Sequence, residues 1–310
     1  MRTRVSILLS VLLLALLACT LPGTSAPTPF VFPTPNLTLT ALFAPTASAA
    51  GPSTTASPTP LIVDTLEASQ TAGATSSATA APPTATVPAG STDTRPNGSP
   101  VEAARLASPP TIDGDLSEWS SNRYSITEVA YGTGNWTGGG DLSGTYYLGW
   151  DSTYFYLGIQ VNDSTFVQTA SGRDLFKGDS VEILLDAALA SDFSTPSLSS
   201  DDYQIGLSPG NFGSRAPEAY RWFPRSAEGP LSTTQVASSQ TSDGYLLEAR
   251  LPWVVFGLAP ASGDRFGFAL SLSDNDVAGT AVQQSMVSTV RTRSLTDPTT
   301  WGTLVLGGEG

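Results

Sequence analysis

Residues 101–310 predict an all-β domain, an antiparallel β-sandwich of jelly-roll type. Three observations predict it. Apolar residues recur with period two between turns rich in Gly, Asp, Asn and Ser. No segment keeps a 3.6-residue period over twelve residues. The stretch, about 210 residues long, is enough for one full core.

The elements are justified in chain order. "MRTRVSILLSVLLLALLAC" places Arg2 and Arg4 before an apolar run from Val5 to Ala18. A bilayer span needs roughly 20 apolar residues, so this run is short, and the segment reads as a signal peptide over 1–18. Leu16-Leu17-Ala18-Cys19 resembles a bacterial lipobox, and Cys19 is the sole cysteine of the chain. The resemblance implies lipidation at Cys19, export, and a membrane anchor at the cell envelope without a transmembrane helix. A plain signal peptide is the alternative. A single cysteine also excludes an intrachain disulfide.

Residues 19–100 read as a linker. Of the 24 prolines, 14 fall in 20–100, among Thr, Ser and Ala. Such a composition cannot bury enough apolar surface to offset its ordering entropy, so an extended, disordered spacer is expected. Its reach as a flexible chain is roughly 50 Å. Two weakly apolar islands, 36–43 and 61–70, each follow a Pro-Thr-Pro.

Strands are predicted near 123–131, 143–150, 154–162, 180–186, 202–208, 219–223, 234–240, 244–251, 265–273, 283–290 and 301–306. Trp150-Asp151-Ser152-Thr153-Tyr154 and Ser242-Asp243-Gly244 read as hairpin turns. In Asp179-Ser180-Val181-Glu182-Ile183-Leu184-Leu185-Asp186, the residues Val181, Ile183 and Leu185 share the core face. Glu182 then stands on the opposite face of a sheet.

Charge excludes several functions. The six charges of residues 1–100 cancel, so the net charge of −13 belongs to 101–310, with 24 acids against 11 bases. Phosphate backbones are repelled, and nucleic acid is not an expected partner. The chain has no histidine, which removes Ser-His-Asp triads, Cys-His pairs and His-ligated zinc.

Four motifs stand in order: Thr111-Ile112-Asp113-Gly114-Asp115-Leu116-Ser117-Glu118-Trp119; the hairpin Gly149 to Asp163; Gly178-Asp179-Ser180-Val181-Glu182-Ile183-Leu184-Leu185-Asp186; and Gly244 to Trp253, ending Leu251-Pro252-Trp253. Together they resemble family-9 carbohydrate-binding modules, β-sandwiches appended to bacterial xylan-degrading enzymes. The resemblance implies a non-catalytic module for oligo- or polysaccharide, linked to polysaccharide breakdown. It makes 111–119 the opening turn of the sandwich, with Ile112 and Trp119 sealing one end of the core. Trp119, Trp150, Trp253 and Trp301 read as core.

In the xylanase-type members two tryptophans clamp the sugar. Here Phe176 matches the first and Leu295 the second, the clamp arginine falls near Gly206, and Glu182 matches outright. Arg291 and Arg293 are the nearby donors. A second reading places the ligand on Trp136, within Gly134-Asn135-Trp136-Thr137-Gly138, or on Trp222, since aromatics on exposed loops are good ligand platforms. Oxygen-rich loops at Asp274-Asn275-Asp276 and Asp201-Asp202 suit a structural calcium, with Asp274 and Asp276 as ligands. No other cofactor is expected.

Three further readings compete. One is a protein-interaction or structural module of the envelope on the same fold. Another is a b-type haem between Lys177 and Met286, the single lysine and the single non-initiator methionine. The third is a glycosidase using Glu182 and Glu248, if those strand carboxylates approach each other.

Overall fold

The computed structural model describes residues 93–308. The readings of the leader, Cys19 and the spacer up to residue 92 lie outside the described residues. The chain divides into two units, Met1–Ser76 and Ser77–Gly310, and the described residues belong to the second.

Fourteen strands form the domain: β1 (Val101–Arg105), β2 (Arg123–Ile126), β3 (Glu128–Tyr131), β4 (Leu142–Trp150), β5 (Tyr154–Asp163), β6 (Ser180–Asp186), β7 (Asp202–Ser208), β8 (Glu218–Phe223), β9 (Gly229–Pro230), β10 (Gln235–Thr241), β11 (Gly244–Pro252), β12 (Arg265–Asp274), β13 (Ser285–Ser288) and β14 (Gly302–Leu306). One sheet runs β9-β8-β7-β6-β12, with β14 on the first half of β12 and β13 on the second, and β3 beyond β13. The other runs β10-β11-β5-β4, with β2 on β4.

The sandwich is antiparallel as expected, with β1 as its one parallel element. Val101 to Ala103 pair in parallel with β14, and Ala104 and Arg105 pair in parallel with β4. One short strand thus joins the two sheets. The predicted strand 123–131 is two strands, because the chain passes from one sheet to the other at Thr127.

Between the sheets lies the main core, built from the inward residues that period two assigns. Val181, Ile183 and Leu185 of β6 belong to it together with Leu247, Ala249 and Leu251 of β11, with Phe155, Trp253, Phe256 and Phe268 as its large rings. Trp119, Trp150, Trp253 and Trp301 are all buried. Both hairpin readings hold: Asp151 accepts the Thr153 and Tyr154 amides at 2.6 and 2.7 Å, and Thr241 pairs with Gly244.

The opening turn is built differently from the expectation. Ile112 and Trp119 pack with Tyr156 in a separate cluster on the outer face of the second sheet, not at an end of the main core. The turn is pinned by Glu248 of β11. This carboxylate accepts the Trp119 indole N–H at 2.7 Å, the Gly114 amide at 2.8 Å and the Asp113 amide at 3.0 Å. Gly114 has φ +91°, and a Cβ there would meet the Ser238 backbone at 2.8 Å.

Residues 95–100, read from composition as linker, pack on the domain. Arg95 is 1% exposed and bonds Asp186 at 2.6 Å. Its amide donates to Thr303, and Asn97 donates to the carbonyls of Thr299 and Trp301. A buried acceptor on β6, invisible in local composition, holds this stretch in place.

Candidate functional site

On the outer face of the first sheet, across β6, β7 and β8, lies an open cavity of about 670 Å³. Its floor follows from strand alternation. Val181 and Ile183 face the core, so Glu182 faces out. Gln204 of β7 donates to Glu182 at 3.0 Å. The Arg293 guanidinium pairs with the other oxygen of Glu182. Burial pushes the Arg293 pKa down to about 10, so it stays protonated at neutral pH. Its Nε–H is buried with no acceptor.

Phe176 comes from a 3₁₀ turn, Gly172–Lys177, anchored by the buried Leu175. The segment is held at two carbonyls: Trp222 Nε1 donates to Arg173 at 2.7 Å, and Ser273 Oγ to Phe176 at 2.7 Å. Trp222 sits in β8, not on an exposed loop, and is 5% exposed. Its ring meets Phe176 edge-on at 6.0 Å. Gly206 makes room for it, since a Cβ there would meet the indole at 2.2 Å. The indole therefore occupies the place where the resemblance put the clamp arginine.

Phe176, Glu182, Arg293, Leu295 and Trp222 all line this cavity. Two sequence-predicted residues do not. Arg291 is 81% exposed and pairs with Glu128 at 2.7 Å, because the turn at 291–292 sends it away from Arg293. Trp136 folds onto the main core and donates its indole N–H to Leu142 at 2.9 Å.

Sequence reasoning missed Tyr131. It ends β3, lines the cavity, and at 54% is the most exposed large aromatic among the described residues. Leu295, 40% exposed, lies on the same cavity. The available signal was an aromatic at a strand end, immediately before the Gly-rich loop that drew attention to Trp136.

Lys177 and Met286 line the cavity too. The Lys177 ammonium is committed to Asp174 at 3.0 Å and lies over the Phe176 ring. The glycosidase pair is not assembled. Glu182 stands on the outer face of the first sheet and Glu248 on the outer face of the second, with the core between them.

Among the described residues, two acidic clusters could hold a cation. Asp274 converges with Asp141 and Asp276, and also with Asp163 and Asp179; in each trio the carboxylate oxygens lie within 4.8 Å of one another. Asp179 is oriented by the amides of Val167 and Asn275. Oxygens of Asp163, Asp274 and Asp276 are buried without hydrogen bonds. Burial first, and neighbouring carboxylates second, push Asp163 and Asp274 up to about 6 and raise Asp179 well above the usual carboxylate range. A hard, all-oxygen set of this kind fits calcium. Asp186, Asp192 and Asp201 form the second cluster.

Comparison with known proteins places this architecture. The exoglucanase XynX of Acetivibrio thermocellus is 27% identical over 180 residues, which is 57% of this chain and 14% of that enzyme. The endo-1,4-beta-xylanase A of Thermoanaerobacterium saccharolyticum is 26% identical over the same length, again 14% of the enzyme. The chain therefore spans only a small part of these relatives. Two solved structures of a family 9 carbohydrate-binding module from Caldicellulosiruptor kristjanssonii share the fold at 21% identity. The cellotriose complex has a TM-score of 0.50 and covers 68% of this chain and 95% of that one. The glucose complex has a TM-score of 0.51, covering 68% and 97%. The model of the family described as Carbohydrate family 9 binding domain-like matches residues 112–309, and the chain belongs to that family.

Proposed function

We propose that the cavity beside Phe176 binds a saccharide without cleaving it. One observation carries this reading. The exposed apolar side chains Tyr131 and Leu295 and the half-buried Phe176 surround a polar floor of Glu182, Gln204 and Arg293. Aromatic faces beside fixed donors and acceptors are what a pyranose ring with equatorial hydroxyls needs. The two carboxylates lining the cavity, Asp174 and Glu182, are each paired with a cation, which suits binding rather than acid–base cleavage. Membership of a carbohydrate-binding family and the cellotriose and glucose held by two structural neighbours support the same reading.

A glycan array probed with residues 93–310 tests it, with selective retention of glycans as the expected result. Retention of none would favour a protein-interaction or structural module. The acidic cluster around Asp274 is read as a structural calcium site, with Asp276, Asp141 and Asp163 as co-ligands. The domain is read as displayed at the cell envelope, tethered by a lipid on Cys19 and serving polysaccharide breakdown. Membrane fractionation of wild type against Cys19→Ala tests the tether: the variant should be released or unprocessed, and identical behaviour would refute it.

A further inference from the structure

The cavity is the place where this acidic domain gathers its cations. Of the 11 basic residues in 101–310, four line it: Arg173, Lys177, Arg225 and Arg293. Two of these are neutralised one for one, Lys177 by Asp174 and Arg293 by Glu182. The other two are not. Arg173 Nε meets Glu228 Oε1 at 3.1 Å, and Arg225 Nη1 meets Glu228 Oε2 at 3.0 Å. Two guanidinium groups thus share one carboxylate. Their pull holds the Glu228 carboxyl below its usual range.

Each of these arginines spends one N–H on Glu228, and a guanidinium has five. Their side chains are 68% and 60% exposed. Neither position is loose in the backbone: the Arg173 carbonyl is held by the Trp222 indole, and Arg225 opens a 3₁₀ turn whose Ala227 carbonyl accepts from Arg221 of β8. Deeper in, the Arg293 Nε–H has no acceptor. A neutral sugar supplies hydroxyls, which any polar site can serve. A pair of guanidinium forks matches a planar carboxylate far better, through two parallel charge-assisted bonds.

We infer that the saccharide taken by this cavity carries a carboxylate: an oligosaccharide containing a uronic acid, its ring against Phe176 and its carboxylate on the Arg173–Arg225 pair. This rests on the cavity being a sugar site. The test is titration calorimetry of residues 93–310 with the β-1,4-linked glucuronic acid trimer, its methyl ester and cellotriose, in wild type and in Arg173→Gln/Arg225→Gln. Both substitutions are on exposed side chains, and unchanged thermal unfolding checks that the fold is kept.

The acid should bind about tenfold more tightly than its ester, and that advantage should fade with added salt and vanish in the double variant. Binding of the ester should differ far less between the two proteins than binding of the acid. Equal binding of acid and ester by the wild type, or a preference that survives the double substitution, overturns the inference while leaving the sugar site standing. No binding of any of the three overturns both.

Discussion

Replacing Glu248 by alanine should unfasten the opening turn. Glu248 is fully buried and accepts three hydrogen bonds, two of them in buried surroundings, from the Trp119 indole and the Gly114 amide. The third, from the Asp113 amide, is only partly buried, and that donor can turn to water. A buried donor left unpaired costs about 1–3 kcal/mol, so two cost about 2–6 kcal/mol. Removing the carboxylate also removes its own burial penalty, which is what raises its pKa. The net loss should be about 3 kcal/mol, near 10 °C in Tm for a domain of this size. Urea unfolding followed by tryptophan fluorescence measures it, and Trp119 becomes a local reporter of the turn. Glu248→Gln keeps one acceptor oxygen and should lose less. A loss below about 0.5 kcal/mol for the alanine variant would mean that the turn does not depend on this carboxylate, and the reasoning would fail.

Three further outcomes are expected. Arg95→Ala leaves Asp186 buried without its partner at 2.6 Å, so it should cost about 3 kcal/mol, read by thermal unfolding; no change would return residues 95–100 to the linker. In chelator, the domain should be less stable at pH 8 than at pH 5. Asp163 and Asp274 have folded pKa values raised to about 6, so the stability they contribute is present below the unfolded value and lost as pH rises through about 6. Calcium should abolish that dependence, and a calcium-insensitive Tm at pH 8 would refute the cation site. Leu295→Trp should strengthen saccharide binding about fivefold in calorimetry, by adding an aromatic face where Leu295 stands exposed beside the cavity; unchanged affinity would place the sugar away from that wall.

Most of the sandwich was legible because a strand with one buried face writes its period into the sequence. The run around Glu182 shows it: alternation placed Val181, Ile183 and Leu185 inside and Glu182 outside, as they stand. Leu184, on the outer face, is buried all the same, beneath Trp301 and Leu198. β1 was not legible. Val101-Glu102-Ala103-Ala104-Arg105 has little β propensity, and its place is fixed by two parallel partners distant in sequence. Nor could the sequence separate Arg291 from Arg293, because the turn between them decides which faces Glu182. The same holds for the aromatics near the Gly-rich loop. Trp136 looked available and Tyr131 went unnoticed, yet tertiary packing folded the indole onto the core and left the phenol on the cavity.

The cavity's role as the saccharide site is tested most directly by one calorimetric comparison of Phe176→Ala and Trp136→Ala with the wild type, using whichever glycan the array retains. Phe176 lines the cavity and Trp136 does not. Phe176→Ala should abolish measurable heat, and Trp136→Ala should bind as the wild type does. Full binding by Phe176→Ala together with loss in Trp136→Ala would contradict the account and move the ligand to the Gly-rich loop.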